Sequence, residues 1–155
     1  MKKVIFDLDG TLALIDKRRA ISTKDNGKMN WDTFFDPKNI DLDLPHQAVI
    51  DMAKVLKDAG HMIVIFSGRS KATKDATNTW LKKFDVPCDV LKMRPTGNDF
   101  KFMPDDDLKK KWFNDLFPTQ DHINDVVCVF DDRQKVVDMW RDMGLTCMQV
   151  APGNF

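Results

Sequence analysis

Two segments of this chain, Met62-Ile63-Val64-Ile65-Phe66 and Val126-Val127-Cys128-Val129-Phe130, are apolar without alternation. A strand with one face in water alternates apolar and polar residues, whereas a strand covered on both faces does not. Helical periodicity fills the stretches around these runs. Val49, Met52, Ala53 and Leu56 form one stripe within residues 45–60, and Thr77, Trp80, Leu81 and Phe84 form another. Leu108, Trp112, Phe113 and Leu116 make a third within residues 105–117. Val136, Met139, Trp140 and Met143 make a fourth within residues 133–143, stopped by Gly144. With strands also expected at residues 2–8, 88–92 and 146–151, strand and helix alternate along the chain. That alternation implies an α/β fold, with helices on both faces of a mostly parallel sheet. The length of 155 residues is that of one domain, 1–155.

One region breaks the rhythm. Residues 14–44 hold Lys17-Arg18-Arg19, Lys24, Lys28 and the cluster Trp31-Asp32-Thr33-Phe34-Phe35. A connection this long is usually functional or flexible, and it reads as a small helical or irregular lid beside the first strand.

The chemistry concentrates at the carboxyl ends of the expected strands, where ligands bind in parallel sheets. Phe6-Asp7-Leu8-Asp9-Gly10-Thr11 ends the first strand in two acids, a glycine and a hydroxyl. Desolvating carboxylates costs several kcal/mol unless something compensates them, and a divalent cation is the compensation that fits. Ser67-Gly68-Arg69 ends the second strand, Asp131-Asp132-Arg133 ends the run 126–130, and Lys109 sits near the start of the third helix. Each piece alone has a plain explanation: a turn, a helix N-cap, a solvated run of lysines. Together they suit phosphoryl transfer. Mg²⁺ needs one or two carboxylates plus a phosphate oxygen, which Asp7 and Asp131 or Asp132 can supply. A carboxylate can attack phosphorus while a second acid handles the proton, and Ser67, Lys109 and Arg69 can neutralise the transferring group.

Over essentially its full length the chain resembles the haloacid dehalogenase (HAD) superfamily of phosphatases. Asp7-Leu8-Asp9-Gly10-Thr11 is similar to the first motif of that family, Ser67 to the second, Lys109 to the third and Asp131-Asp132 to the fourth. The resemblance implies a three-layer Rossmann-like fold, Asp7 as nucleophile and Asp9 as general acid and base. It implies Mg²⁺ on the Asp7 carboxylate, the Asp9 carbonyl and Asp131, with Asp132 close by, and Ser67 and Lys109 on the phosphoryl oxygens. Ser67-Gly68-Arg69, Asp131-Asp132-Arg133, Val137-Asp138-Met139-Trp140-Arg141 and the final Gln149-Val150-Ala151-Pro152-Gly153-Asn154-Phe155 resemble, more narrowly, the 3′-phosphatase domains of phage polynucleotide kinase-phosphatases. That narrower likeness implies a 3′-phosphorylated nucleic-acid end as substrate, in DNA or RNA repair, with Thr11, Arg18, Gly68, Arg69 and Arg94 binding it. Two departures stand out. No G-x-x-x-x-G-K-[ST] loop occurs, so the reading is phosphatase without kinase, and Gly97-Asn98-Asp99-Phe100-Lys101 differs from the pattern expected before the lysine helix.

Two other functions remain open: a phosphatase of 5′- or 3′-mononucleotides or other small esters, and a catalytically silent binding module. Trp31, Phe34 and Phe35 can stack a base, or simply pack the lid. Lys plus Arg equals Asp plus Glu at 24 each, so affinity for an anionic substrate must be local. Cys88, Cys128 and Cys147 lie singly in apolar contexts and read as buried reduced thiols. Without a leader ahead of Val4 or an apolar run of membrane length, the expectation is a cytoplasmic protein, in host cytoplasm if phage-encoded. No obligate protein partner is expected.

Overall fold

The computed structural model describes residues 1–155. Five parallel strands form the central sheet: β1 (Lys3–Phe6), β4 (Met62–Ser70), β5 (Val90–Arg94), β6 (Val126–Asp131) and β7 (Cys147–Gln149). Their order is β5-β4-β1-β6-β7, which puts β1 at the centre, paired with β4 on one side and β6 on the other. From β1 the chain goes on to β4 and β5 at one edge, and from its neighbour β6 to β7 at the other, so a crevice opens at the carboxyl ends of β1 and β6, the usual ligand position of such sheets.

Neighbouring residues of each strand serve opposite faces, and both faces are dry. Val4, Phe6, Ile63, Ile65 and Phe130 join one buried cluster with Val49, Ile50 and Ala53 of α3 (Gln47–Asp58) and with Trp80 and Leu81 of α4 (Lys74–Lys83). Ile5, Val64, Phe66 and Val129 join the other. There they meet Leu108, Trp112 and Phe113 of α6 (Asp105–Leu116) and Val136, Val137 and Trp140 of α8 (Gln134–Asp142). This is the physical reason for the uninterrupted apolar runs.

Several boundaries move from their expected places. Leu44–Pro45 is a short strand, β3, antiparallel to β2 (Ala13–Leu14), so α3 starts two residues after the proline. Strand β4 continues to Ser70, and β5 runs to Arg94. Two short helices fall between the expected elements: α5 (Asn98–Lys101) and α7 (Gln120–Asn124). The insertion folds as α1 (Asp16–Ser22), α2 (Trp31–Phe34) and a 3-10 turn at Pro37–Leu42. It packs into the body, with Phe34 and Ile40 buried in the first cluster. No helix is long and apolar enough to cross a membrane.

Candidate active site

The turn after β1 is wound tightly. The amides of Thr11, Leu12 and Ala13 all donate to the Leu8 carbonyl, at 3.1, 3.0 and 2.9 Å. Gly10 sits at φ +83°, and a Cβ there would lie 2.1 Å from Asp132 Oδ2, so only glycine lets the turn pass the neighbouring acid. The Asp7 amide donates to the Phe130 carbonyl at 2.9 Å, which extends the sheet pairing one residue past β1 and fixes the side chain in the crevice.

Lys109 reaches the same place from α6. Its Nζ donates to Asp7 Oδ1 at 2.8 Å and to Asp131 Oδ2 at 3.0 Å. Lys110 and Lys111 point outward, and Lys111 pairs with Asp115 one turn along. Thr11 Oγ1 donates to the other Asp7 oxygen at 3.0 Å. Asp131 is held in turn, because its Oδ1 accepts the Asp132 amide at 2.9 Å and its Oδ2 accepts Trp140 Nε1 at 3.4 Å.

Asp7, Asp131 and Asp132 are buried and bring ligand oxygens within 4.8 Å of one another. Burial, and then the Asp131 charge, raise the Asp7 carboxyl well above its ordinary range even though Lys109 pulls it down. Burial raises Asp132 as well. Burial alone would lower Lys109, yet Asp131 and Asp7 hold it charged, above the ordinary lysine range. Three carboxylates share one ammonium, so the cluster is short of positive charge. An all-oxygen acidic set of this kind fits a hard divalent cation, held by Asp7, Asp131 and Asp132.

Asp9 occupies a different environment. Arg18 NH2 donates to its Oδ1 at 2.7 Å, and Arg69 Nε donates to the same oxygen at 2.8 Å. Neither engages Oδ2, and the Asp9 side chain stays 21% exposed. Burial works to raise Asp9, but Arg69 and Arg18 together keep it below the usual carboxylate range. The sequence suggests Arg18 and Arg69 as substrate-binding residues; in the structure both guanidiniums are buried and bonded to acids. The second acid is Asp43, wholly enclosed, which accepts from Arg18 Nε at 3.0 Å, Arg18 NH2 at 2.9 Å and Arg69 NH2 at 2.8 Å. These bonds tie the insertion to β4, which is why it packs as part of the body in place of a free lid.

Ser67 is buried, and its Oγ accepts the Arg69 amide at 3.2 Å, leaving its own proton to donate. Arg94 is equally committed. It donates to the carbonyls of Gly68 at 3.0 Å and of Phe100 and Met103 at 2.7 Å each, and pairs with Asp105. Asp105 also accepts from Arg133 at 3.1 Å. Gly68 lies against Asp105, where an added Cβ would sit 2.6 Å from the carboxylate.

Asp43 and Asp105 escape a reading of the sequence. Asp105 opens an acidic triplet that reads as charge at a helix N-terminus, although its spacing of one turn from Lys109 is a usable signal. Asp43 carries no local signal, because its partners are distant in the chain. A cavity of about 1170 Å³ opens over Asp7, Asp9, Lys109, Asp131 and Asp132 and continues along the insertion.

The fold is that of a HAD-type phosphatase, and the protein is an enzyme of that class. Over residues 1–155 the chain belongs to the family described as the polynucleotide kinase PNKP phosphatase domain. It is 34% identical over 145 residues to the "Putative bifunctional polynucleotide kinase/RNA ligase" of Autographa californica nuclear polyhedrosis virus, a match covering 92% of this chain and 18% of that one. It also resembles a chain of the Pnkp1/Rnl/Hen1 RNA repair complex, with TM-score 0.78 and 33% identity over 99% of this chain and 43% of that one. A crystal structure of a predicted phosphatase from Clostridium acetobutylicum shares the fold at 15% identity and TM-score 0.72, over 96% of this chain and 83% of that one. The chain thus spans less than half the length of the first two relatives.

Proposed function

We propose that this chain is a Mg²⁺-dependent phosphomonoesterase that removes 3′-phosphate from nucleic-acid ends. The observation that supports this best is the pairing of an Asp7 carboxylate fixed by Lys109 and Thr11 with an Asp9 carboxylate that keeps one oxygen free. The family, whose description names a polynucleotide kinase, supports the choice of substrate. In the first step an Asp7 oxygen attacks phosphorus and the bond from phosphorus to the ester oxygen breaks, leaving the phosphoryl group on Asp7. The substrate binds as the phosphate monoanion, and its proton passes by way of Asp9 Oδ2, ionised in the free enzyme, to the departing 3′ oxygen. In the second step Asp9, now ionised, takes a proton from water as the water oxygen attacks phosphorus. The bond to Asp7 breaks and inorganic phosphate leaves. Ser67 and Lys109 donate to the phosphoryl oxygens through both steps. Bound at Asp7, Asp131 and Asp132, Mg²⁺ supplies positive charge against those oxygens. The repair setting and host-cell cytoplasm belong to the same proposal.

Phosphate release with Mg²⁺ tests it, comparing a 3′-phosphorylated oligonucleotide with its 5′-phosphorylated twin and with 3′- and 5′-mononucleotides. Preference for the 3′-phosphorylated oligonucleotide is expected, lost in EDTA. Preference for a mononucleotide would replace the polynucleotide end by a free nucleotide. Asp7→Asn is expected to fold normally, by circular dichroism and melting, and to lose turnover by more than about 10³-fold, as loss of a nucleophile does. Full activity in that variant would sink the covalent mechanism.

A further inference from the structure

Of the four tryptophans, three are core residues: Trp80, Trp112 and Trp140 are 2%, 6% and 0% exposed. Trp31 is 58% exposed. It stands at the first position of α2 and lines the same cavity as Asp7 and Lys109. The packing work of α2 falls to Phe34, which is buried and receives the Arg18 guanidinium on its ring face at 4.4 Å. Phe34 meets Trp31 edge-on at 5.6 Å. Phe35 lies 5.6 Å from Trp31 with the rings only 19° apart, so it backs the indole. The indole is thus braced from its own side while more than half of it remains open to water. An aromatic plane held this way is pre-organised for stacking and loses little entropy when covered. Around the cavity stand Arg19 and Lys101. Lys101 holds its ammonium 5.6 Å from the ring of Phe102, itself 84% exposed. Cations and exposed aromatic faces in one groove are what bind a single strand without sequence preference.

We propose that Trp31 is a stacking platform for the base of the 3′-terminal nucleotide. This rests on the 3′-phosphatase reading above, because that reading fixes which nucleotide reaches Asp7. The phosphoryl group sits at the carboxyl end of β1 while its base lies flat on the indole.

The test compares two 3′-phosphorylated single-stranded oligonucleotides, one intact and one whose terminal nucleotide lacks its base. Steady-state kinetics are measured for the natural enzyme, Trp31→Ala and Trp31→Phe. Stacked bases are typically lost at a cost of about tenfold or more in affinity. Trp31→Ala is expected to raise KM about tenfold on the intact substrate at unchanged kcat, with no effect on the abasic one, and Trp31→Phe to restore most of the difference. With turnover blocked by Asp7→Asn, the intact oligonucleotide is expected to quench the emission of exposed Trp31 and the abasic one not to. Equal KM for natural and Trp31→Ala enzymes on the intact substrate overturns the platform. So does an equal loss on both substrates, which would make Trp31 a shaper of the groove. Failure of the natural enzyme to release phosphate from either oligonucleotide, while a small phosphate ester is hydrolysed, removes the 3′-end reading itself and the platform with it.

Discussion

Asp9 owes its state to two arginines, and those arginines owe theirs to Asp43. Removing one partner from a buried ion network leaves the remaining charges desolvated and unbalanced, at a typical cost of about 3–5 kcal/mol. Asp43→Ala is expected to lose stability on that scale in urea unfolding. It should also lose activity in conditions where the variant is still folded, because Arg18 and Arg69 no longer hold Asp9 Oδ1. Natural stability in the variant would mean that Asp9 alone satisfies both guanidiniums. Lys109 and Asp131, in contrast, are readable in the chain, since each lies at a strand end or helix start where the sheet demands a reason for charge. Asp43 is not readable, because its meaning comes from residues brought to it by the fold.

At the level of elements, the entry of β4 has its own polar clasp. Asp89 Oδ2 accepts the Ile63 amide at 2.8 Å, and Lys57 reaches both oxygens of the same carboxylate at 2.8 Å. The Ile63 amide first, then Lys57, depress the Asp89 carboxyl below its ordinary range. A folded-state pKa below the unfolded one adds stability above the unfolded value, and that stability is lost as pH falls through the folded one. Asp89→Ala is therefore expected to lower stability near neutrality by no more than about 1 kcal/mol, because solvent screens the exposed carboxylate. The gap between variant and natural protein should close as pH drops below about 4. Denaturant melts at several pH values would show it, and a gap independent of pH would assign the loss to packing. Alternation of strand and helix was visible in the sequence because both faces of the sheet are covered. The ends were not: β3 forms at Leu44–Pro45 only because β2 is there to pair with it.

For the molecule as a whole, the crowded acids are expected to make stability depend on a bound cation. A ligand at a hundred times its dissociation constant stabilises the folded state by about 2.7 kcal/mol. For a chain of this size, each kcal/mol raises Tm by about 2–4 °C. Mg²⁺ is expected to raise the melting temperature by several degrees, and Asp131→Asn to remove most of that rise. An unchanged Tm across Mg²⁺ concentrations that support turnover would argue against a tightly held ion. The architecture and the clustering of Asp7, Asp131 and Asp132 were legible because they follow from periodicity and strand-end chemistry. The groove beside them was not, since its walls come from the insertion and from residues 94–105, where shape depends on Arg94 gripping three carbonyls. The Arg18–Asp43–Arg69 network has a last effect. It spans the insertion and the sheet, so the proposed proton donor cannot be set loose while the rest of the chain stays native. Under rising denaturant, loss of activity and loss of tertiary signal should trace one curve, and a preparation that still fluoresces like the native protein should still turn over.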